Sequence, residues 1–256
     1  MCLLLLALDA HPCYKLMLAA NRDEFYDRPT AAAAFWSDAP EILAGRDLRD
    51  GGTWLGITRK GRLAAITNYR DPSSVNEDAP SRGALVSDFL LSGEDPETYL
   101  ARLSKKARYY NGFNLVLMAE GKYFWFSNRN GPPQQLRPGI YGVCNHLLNT
   151  PWPKVTEGKA RLQEMLSESL NPESVFQMLS DRSIPPDVHL PDTGVGLEWE
   201  RSLGAIFVAR PGYGTRSSTL LTIDQNNHVT FVEKTHDTNQ ASEGNIKAYE
   251  FSILRK

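Results

Sequence analysis

The sequence predicts an α+β fold, a four-layer αββα sandwich of two mainly antiparallel sheets between helical layers. Three observations point there. Apolar runs of strand length come in pairs separated by turn residues, as in Leu3-Leu4-Leu5-Leu6 with Leu16-Met17-Leu18, and hairpin-linked strands build antiparallel sheets. Along the chain the order is strands, helices, strands, helices, strands. The helical stretches are amphipathic, so each needs a sheet face to cover.

The first hairpin joins residues 2–8 to a run ending in Asn21-Arg22-Asp23-Glu24, across the polar break Asp9 to Tyr14. With the turn near Pro12, paired positions sum to about 24 under the two-residue side-chain period, which sets Cys2 opposite Arg22. Tyr26-Asp27-Arg28-Pro29 begins a loop, and Ala31 to Ala34 have no assigned conformation. Asp50-Gly51-Gly52 signals a turn. Residues 53–58 and 62–67 then form a second hairpin around Lys60-Gly61. It ends at Asn68-Tyr69-Arg70, where a strand gives way to a loop, a common position for functional side chains.

Residues 83–91 carry Leu85, Val86, Phe89 and Leu90 at helical spacing. Asp95-Pro96 supplies an N-cap and a first-turn proline for a second helix bearing Tyr99, Leu100 and Leu103. Residues 114–118 and 123–127 read as strands joined at Glu120-Gly121, and residues 139–144 as another strand, ending at Asn145-His146. Pro151-Trp152-Pro153 introduces a helix over 154–170, and Asn171-Pro172 starts a shorter one through Leu179. Residues 181–200 read as a surface loop, and 205–210, 215–224 and 228–234 as strands, followed by a polar tail from Thr235. No repeat or linker divides residues 1–256, so a single domain is expected.

A formal net charge of -2 with both signs interspersed argues against a general binder of nucleic acid or membrane surfaces. Cys2, Cys13 and Cys144 have neither paired nor metal-ligand spacing, which suits a reducing, cytoplasmic compartment. The scattered histidines give no expected metal site. The leucine-rich start has no basic flank or cleavage site and meets Asp9 early, so it reads as a buried strand of a soluble protein rather than a signal peptide. It is also too short to span a bilayer.

Cys2 carries the chemical argument. Removal of Met1 before this small residue leaves a free α-amine, whose pKa of about 7.7–8.0 makes it partly neutral near physiological pH. The amine can then act as general base toward its own thiol, while Arg22 favours the thiolate by charge. The competing structural reading is a small residue opening a buried strand.

Five blocks carry a family resemblance: Asn21-Arg22-Asp23-Glu24; Gly51-Gly52-Thr53-Trp54-Leu55-Gly56; Thr67-Asn68-Tyr69-Arg70; Asn145-His146-Leu147-Leu148 with Pro151-Trp152-Pro153-Lys154; and Tyr213-Gly214-Thr215-Arg216-Ser217-Ser218. As a set they resemble the NRDE family, whose animal members are called transport and Golgi organisation protein 2. That family is similar in turn to N-terminal-nucleophile (Ntn) hydrolases with cysteine nucleophiles, such as choloylglycine hydrolases, whose fold is an αββα sandwich.

The resemblance implies Cys2 as nucleophile and base, Arg22 as its partner and Asp23 as the group orienting the amine. Asn68 and Asn145 would be oxyanion donors, and Arg216 would complete a polar cluster. Amide donors suit that task because they stabilise an oxyanion without titrating. The hydrolases write Arg-Asn before the acid, so Asp23 and Glu24 both remain candidates for the acidic role. Asn21, Glu24, Tyr69, Cys144 and His146 are candidate ligand-binding groups. Each also has a structural reading: strand-end hydrogen bonds for Asn68 and Asn145, an ion pair for Arg22 with Asp23 or Glu24, extended by Arg216, and a hydrogen-bonded loop position for His146.

Two functions compete. One is hydrolysis of a small amide or thioester through an acyl-enzyme at Cys2, which requires no cofactor. The other, implied by the family's link to intracellular haem trafficking and to lipid or acyl-CoA metabolism, is a non-catalytic carrier of haem or a lipid-like ligand. Cys2, Cys144 and His146 are the candidate axial ligands for haem. Trp36, Trp54, Trp125 and Trp152 line either a pocket or the core.

Overall fold

In the computed structural model, which describes residues 2–167, 171–236 and 244–254, alternation along the first strand pair defines the layers. Strand β1 (Cys2–Leu8) pairs antiparallel with β2 (Tyr14–Phe25). The pairing has the expected register, with Cys2 facing Arg22, Leu4 facing Ala20 and Leu8 facing Leu16. Both faces of this pair are covered, so its residues are apolar on both sides. Leu4, Leu6, Leu16 and Leu18 point into the core between the sheets, whereas Leu3, Leu5, Met17 and Ala19 point to a helical layer.

The chain then builds a second sheet. Strands β3 (Thr30–Phe35), β4 (Ile42–Asp47), β5 (Leu55–Thr58) and β6 (Leu63–Asn68) come first. Helices α1 (Gly83–Leu91) and α2 (Pro96–Ser104) follow, then β7 (Phe113–Ala119), β8 (Lys122–Ser127) and β9 (Gln134–Leu136). These strands lie side by side in chain order, all antiparallel. The Asp95 carboxylate caps α2 by accepting the Thr98 N–H at 2.9 Å. Glu120 and Gly121, both at positive φ (53° and 74°), make the tight turn between β7 and β8. Leu85, Phe89, Tyr99 and Leu103 pack α1 and α2 on the outer face of this sheet.

Strand β10 (Gly139–Val143) returns to the first sheet. Helices α3 (Pro153–Ser167), α4 (Pro172–Leu179) and α5 (Leu197–Gly204) come next, then β11 (Ala209–Arg210), β12 (Tyr213–Asp224), β13 (His228–Thr235) and β14 (Ile246–Ser252). The first sheet runs β10-β1-β2-β12-β13-β14, with β11 paired to β12. Val155, Leu162, Val175 and Leu179 of α3 and α4 cover its outer face. The result is the αββα sandwich. Gly158 lets α3 approach β1, because a Cβ there would meet Leu5 Cδ1 at 2.8 Å. No helix among the described residues is long and apolar enough to cross a membrane.

Several elements depart from expectation. The Ala31–Ala34 stretch lies within β3, where neighbouring strands and the core override alanine's weak strand preference. Strands β4 and β9 were not expected. Residues 181–200 are not loop throughout, since α5 begins at Leu197 and buries Leu203 beside Trp199 and Tyr213. The strand expected over 205–210 is reduced to Ala209–Arg210, and the polar tail contains β14, a mostly exposed edge strand. The expected end of the third helix, at Leu170, lies outside the described residues.

Candidate functional site at Cys2

Where β1 begins, the sandwich opens into a cleft of about 210 Å³. Cys2, Arg22 and Glu24 enter it from the first sheet, Ile66 and Asn68 from β6, and Trp54 and Arg82 from segments flanking the second sheet. Cys2 is partly buried. Burial pushes its thiol up, the Asp23 carboxylate adds to this, and the Arg22 guanidinium and the Asp23 backbone N–H pull it down. Arg22 is 5% exposed and stacks over Trp54, 4.1 Å from the ring centroid. Its Nη1 donates to Thr30 Oγ1 at 3.2 Å, and its Nη2 stands 3.9 Å from Glu24 and 4.0 Å from Asp47. The cation beside Cys2 is therefore held from several sides.

Alternation separates the two acids. Glu24 lies on the Arg22 side of β2 and reaches the cleft. The Asp23 side chain points to the helical layer, where Oδ1 accepts the Thr215 hydroxyl at 2.7 Å and Oδ2 lies 4.0 Å from Lys154 Nζ. Burial pushes the Asp23 carboxyl up, while Lys154 and Thr215 pull it back. Asp23 thus touches Cys2 through its backbone, and Glu24 faces the cleft through its side chain.

Asn68 ends β6 at the cleft wall. Asn145, fully buried, sits behind it: its Nδ2 donates to Asn68 O at 3.0 Å, and its own carbonyl accepts the Arg70 N–H at 2.7 Å. The two asparagines adjoin, but Asn68 lines the cleft and Asn145 braces it. Arg70 completes the brace through Glu200 Oε2 at 2.5 Å and Asn145 Oδ1 at 3.4 Å, with Trp152 4.9 Å away.

The remaining candidates go elsewhere. Arg216 occupies a bulge between Thr215 and Ser217 in the β12–β2 pairing. A bulged residue leaves the alternation, and Arg216 donates to the carbonyls of Phe25 and Arg28 rather than lining the cleft. Asn21 points to the helices, donating to Leu179 O and Ile206 O and accepting from Ser218 Oγ. Cys144 is buried in the core beneath α3 and α4. His146 packs between Tyr69 and Trp152, with Nδ1 2.9 Å from Thr150 Oγ1. Among the described residues lining the cleft, Cys2 is present and Cys144 and His146 are not, so the three candidate axial ligands do not share it. Of the four tryptophans considered, Trp54 lines this cleft, while Trp36 and Trp125 are core residues.

Four features escaped the sequence. Arg82 borders the cleft and feels Cys2 and Glu24 electrostatically, although burial lowers its pKa. Glu200 anchors Arg70 from a stretch that reads as loop. A second cleft of about 370 Å³, lined by Phe25, Val195, Trp199, Leu203 and Tyr213, shares Glu24 and Asn68 with the first. Lys154, 2% exposed, lies behind Asp23. Only Lys154 left a signal: a lysine in the first turn of a helix opposes the helix dipole and calls for a counter-charge.

The family model described as Transport and Golgi organisation 2 matches residues 1–238. The transport and Golgi organization protein 2 homolog of Homo sapiens is 38% identical over 275 aligned residues, covering 99% of each chain. Transport and Golgi organization protein 2 of Drosophila melanogaster is 30% identical over 268, covering 92% of each. Among solved structures, the Caenorhabditis elegans N-acylethanolamine-hydrolyzing acid amidase ortholog is similar at 11% identity and a TM-score of 0.47, covering 86% of this chain and 92% of its own. A variant of the Clostridium perfringens conjugated bile acid hydrolase is similar at 10% identity and the same TM-score of 0.47, covering 99% of this chain and 98% of its own. The chain belongs to the Transport and Golgi organisation 2 family.

Proposed function

We propose that Cys2 is an N-terminal nucleophile that cleaves a small amide or thioester through an acyl-enzyme. The observation that carries this reading is the juxtaposition of the Cys2 thiol with Arg22 and the Asp23 N–H at the mouth of a cleft that Asn68 also lines. Processing at Met1 falls outside the described residues, so the base belongs to the proposal. The α-amine takes the thiol proton, and the thiolate attacks the substrate carbonyl. The Asn68 amide receives the oxyanion, with Asn145 fixing the strand end behind it. The ammonium returns its proton to the leaving amine or thiolate, and water then releases the acid. The second, apolar cleft accommodates the acyl arm of such a substrate, since Glu24 and Asn68 border both.

The carrier reading, with haem or a lipid as cargo, draws less support. A volume of about 210 Å³ is below the roughly 300–1,000 Å³ of drug-sized ligand sites, and the axial candidates are scattered. Incubation with amide and thioester libraries, followed by intact-mass and peptide analysis, tests the proposal. An acyl adduct on Cys2 in the wild type, absent in Cys2→Ala, is expected. Retention of Met1, or no adduct with any acyl donor, overturns it.

A further inference from the structure

Lys154 is buried at the first turn of α3, where the helix dipole disfavours a cation. Among the described residues its Nζ has no hydrogen-bond partner, and its nearest counter-charge is Asp23 Oδ2 at 4.0 Å. A buried ammonium with so little direct compensation is costly for folding, which points to a role in chemistry. Asp23 is the residue whose backbone N–H meets the Cys2 thiol. The ladder pairing Cys2 with Arg22 runs toward Asp23 at the strand start, so an amine freed at Cys2 abuts the Asp23 position.

A carboxylate alone beside an amine holds it as ammonium. An ammonium cannot take the thiol proton. A second cation on the far side of the carboxylate offsets that pull. We propose that Lys154 is a positioning residue for the nucleophile: its ammonium balances Asp23 so that the α-amine at Cys2 remains an uncharged base at neutral pH. The inference rests on the N-terminal-nucleophile reading. In the step concerned, the thiol S–H bond breaks and its proton joins the amine lone pair, giving thiolate and ammonium with no other reactant.

Among the described residues, the other charged or titratable groups around the pair and the thiol include Cys144 just after β10, Arg70 beyond β6 with Glu200 of α5, Tyr213 on β12, Tyr26 after β2, Arg22 and Glu24 on β2, and Arg82 ahead of α1. Arg70 is matched by Glu200 and Arg22 by Glu24 and Asp47, whereas Lys154 has Asp23.

The test uses the full chain and 2-cyanobenzothiazole, a probe that condenses with a thiol and an amine on one residue. Its rate is followed against pH, with intact mass reporting Met1. The Lys154→Met midpoint is expected to rise by about one pH unit and its rate near pH 7 to fall roughly tenfold. Lys154→Arg, which keeps the charge, should follow the wild type. An unchanged Lys154→Met profile, or an equal shift in Lys154→Arg, overturns the role of Lys154 alone. Should Lys154→Met not fold, Asp23→Asn reads the same balance from the other side: its midpoint should fall by about one unit, and no movement overturns the proposal. Retained Met1 with no condensation in the wild type removes the nucleophile reading and this inference together.

Discussion

Arg70 and Glu200, 130 residues apart in sequence, meet in a buried ion pair at 2.5 Å that ties the end of β6 to α5. Thr193 donates to the other Glu200 oxygen through both its N–H and its hydroxyl. Asn145, which braces Asn68, contacts the same guanidinium. The cleft wall and the apolar cleft beside it are therefore held by one polar network.

Breaking that pair strands a charge. Arg70→Met leaves Glu200 buried without its cation, and a loss of about 3–5 kcal/mol is expected. Replacing both, as Arg70→Met with Glu200→Met, should recover part of the loss, because no charge is left stranded, although the Thr193 N–H and hydroxyl lose their acceptor. Urea denaturation of the single and double variants checks this. A single variant as stable as the wild type contradicts it.

Arg22 should matter to thiol reactivity more than to folding. In Arg22→Met the aliphatic stem still covers Trp54, but the charge that favours the Cys2 thiolate is gone. Alkylation of Cys2 by iodoacetamide near pH 7 is expected to slow roughly tenfold, and Arg22→Lys to fall between. Equal rates in all three would reduce Arg22 to a structural ion pair.

Glu233 gives stability a pH dependence. It is buried on β13, and its Oε1 accepts the Ala33 N–H at 2.6 Å beside a bulge in the β3–β4 pairing. Burial pushes its carboxyl up, against the pull of the Ala33 N–H and Arg22. The folded state therefore binds this proton more tightly than the unfolded chain, whose glutamates titrate near about 4.3. The stabilisation is complete below that value and is lost as pH rises through the folded-state value. Glu233→Gln keeps an acceptor and removes the titration, so its stability relative to wild type should increase from about pH 4 to about pH 7. Urea midpoints at both values decide it, and a constant difference refutes it.

Gly158 is set by packing. Gly158→Ala gains about 1 kcal/mol of helix propensity, but its methyl meets Leu5 side-chain carbons at 2.8 and 3.0 Å. Overpacking of about 1–3 kcal/mol outweighs the gain, so thermal stability should drop. In a Leu5→Val background the same change should become neutral or stabilising. Destabilisation of equal size in both backgrounds excludes the Leu5 contact as its cause.

Local signals account for what was legible. The hairpin register follows from two apolar runs around a polar break, since a one-residue slip would exchange both faces of the strand. Helices α1, α2 and α4 appear at their expected places, and the caps of α2 and α4, Asp95 and Asn171, are visible in the chain. Strand β14 was hidden because it follows a polar stretch and its residues are mostly exposed, so that its pairing with β13 and the packing of Tyr249 and Phe251 on Phe35 make it a strand. Helix α5 was hidden because it is only eight residues long and follows directly on Gly194-Val195-Gly196 at the end of a stretch rich in proline and glycine, whose turn signals mask so short a period.

The chain by itself determined the layer order and the pairing of Cys2 with Arg22, because side-chain period and turn chemistry act over a few residues. Only the tertiary structure decided which polar motif residues share a space. Glu24 faces the cleft and Asp23 the helices; Arg216 leaves the cluster at a bulge; Asn145 braces rather than lines; Lys154 arrives from the start of α3. The split of Asp23 from Glu24 follows strand alternation once β2 is placed. The others depend on how distant segments align and which helix covers them, and no local pattern encodes contacts such as Asn145 with Asn68, 77 residues apart, or Arg216 with Arg28, 188 apart.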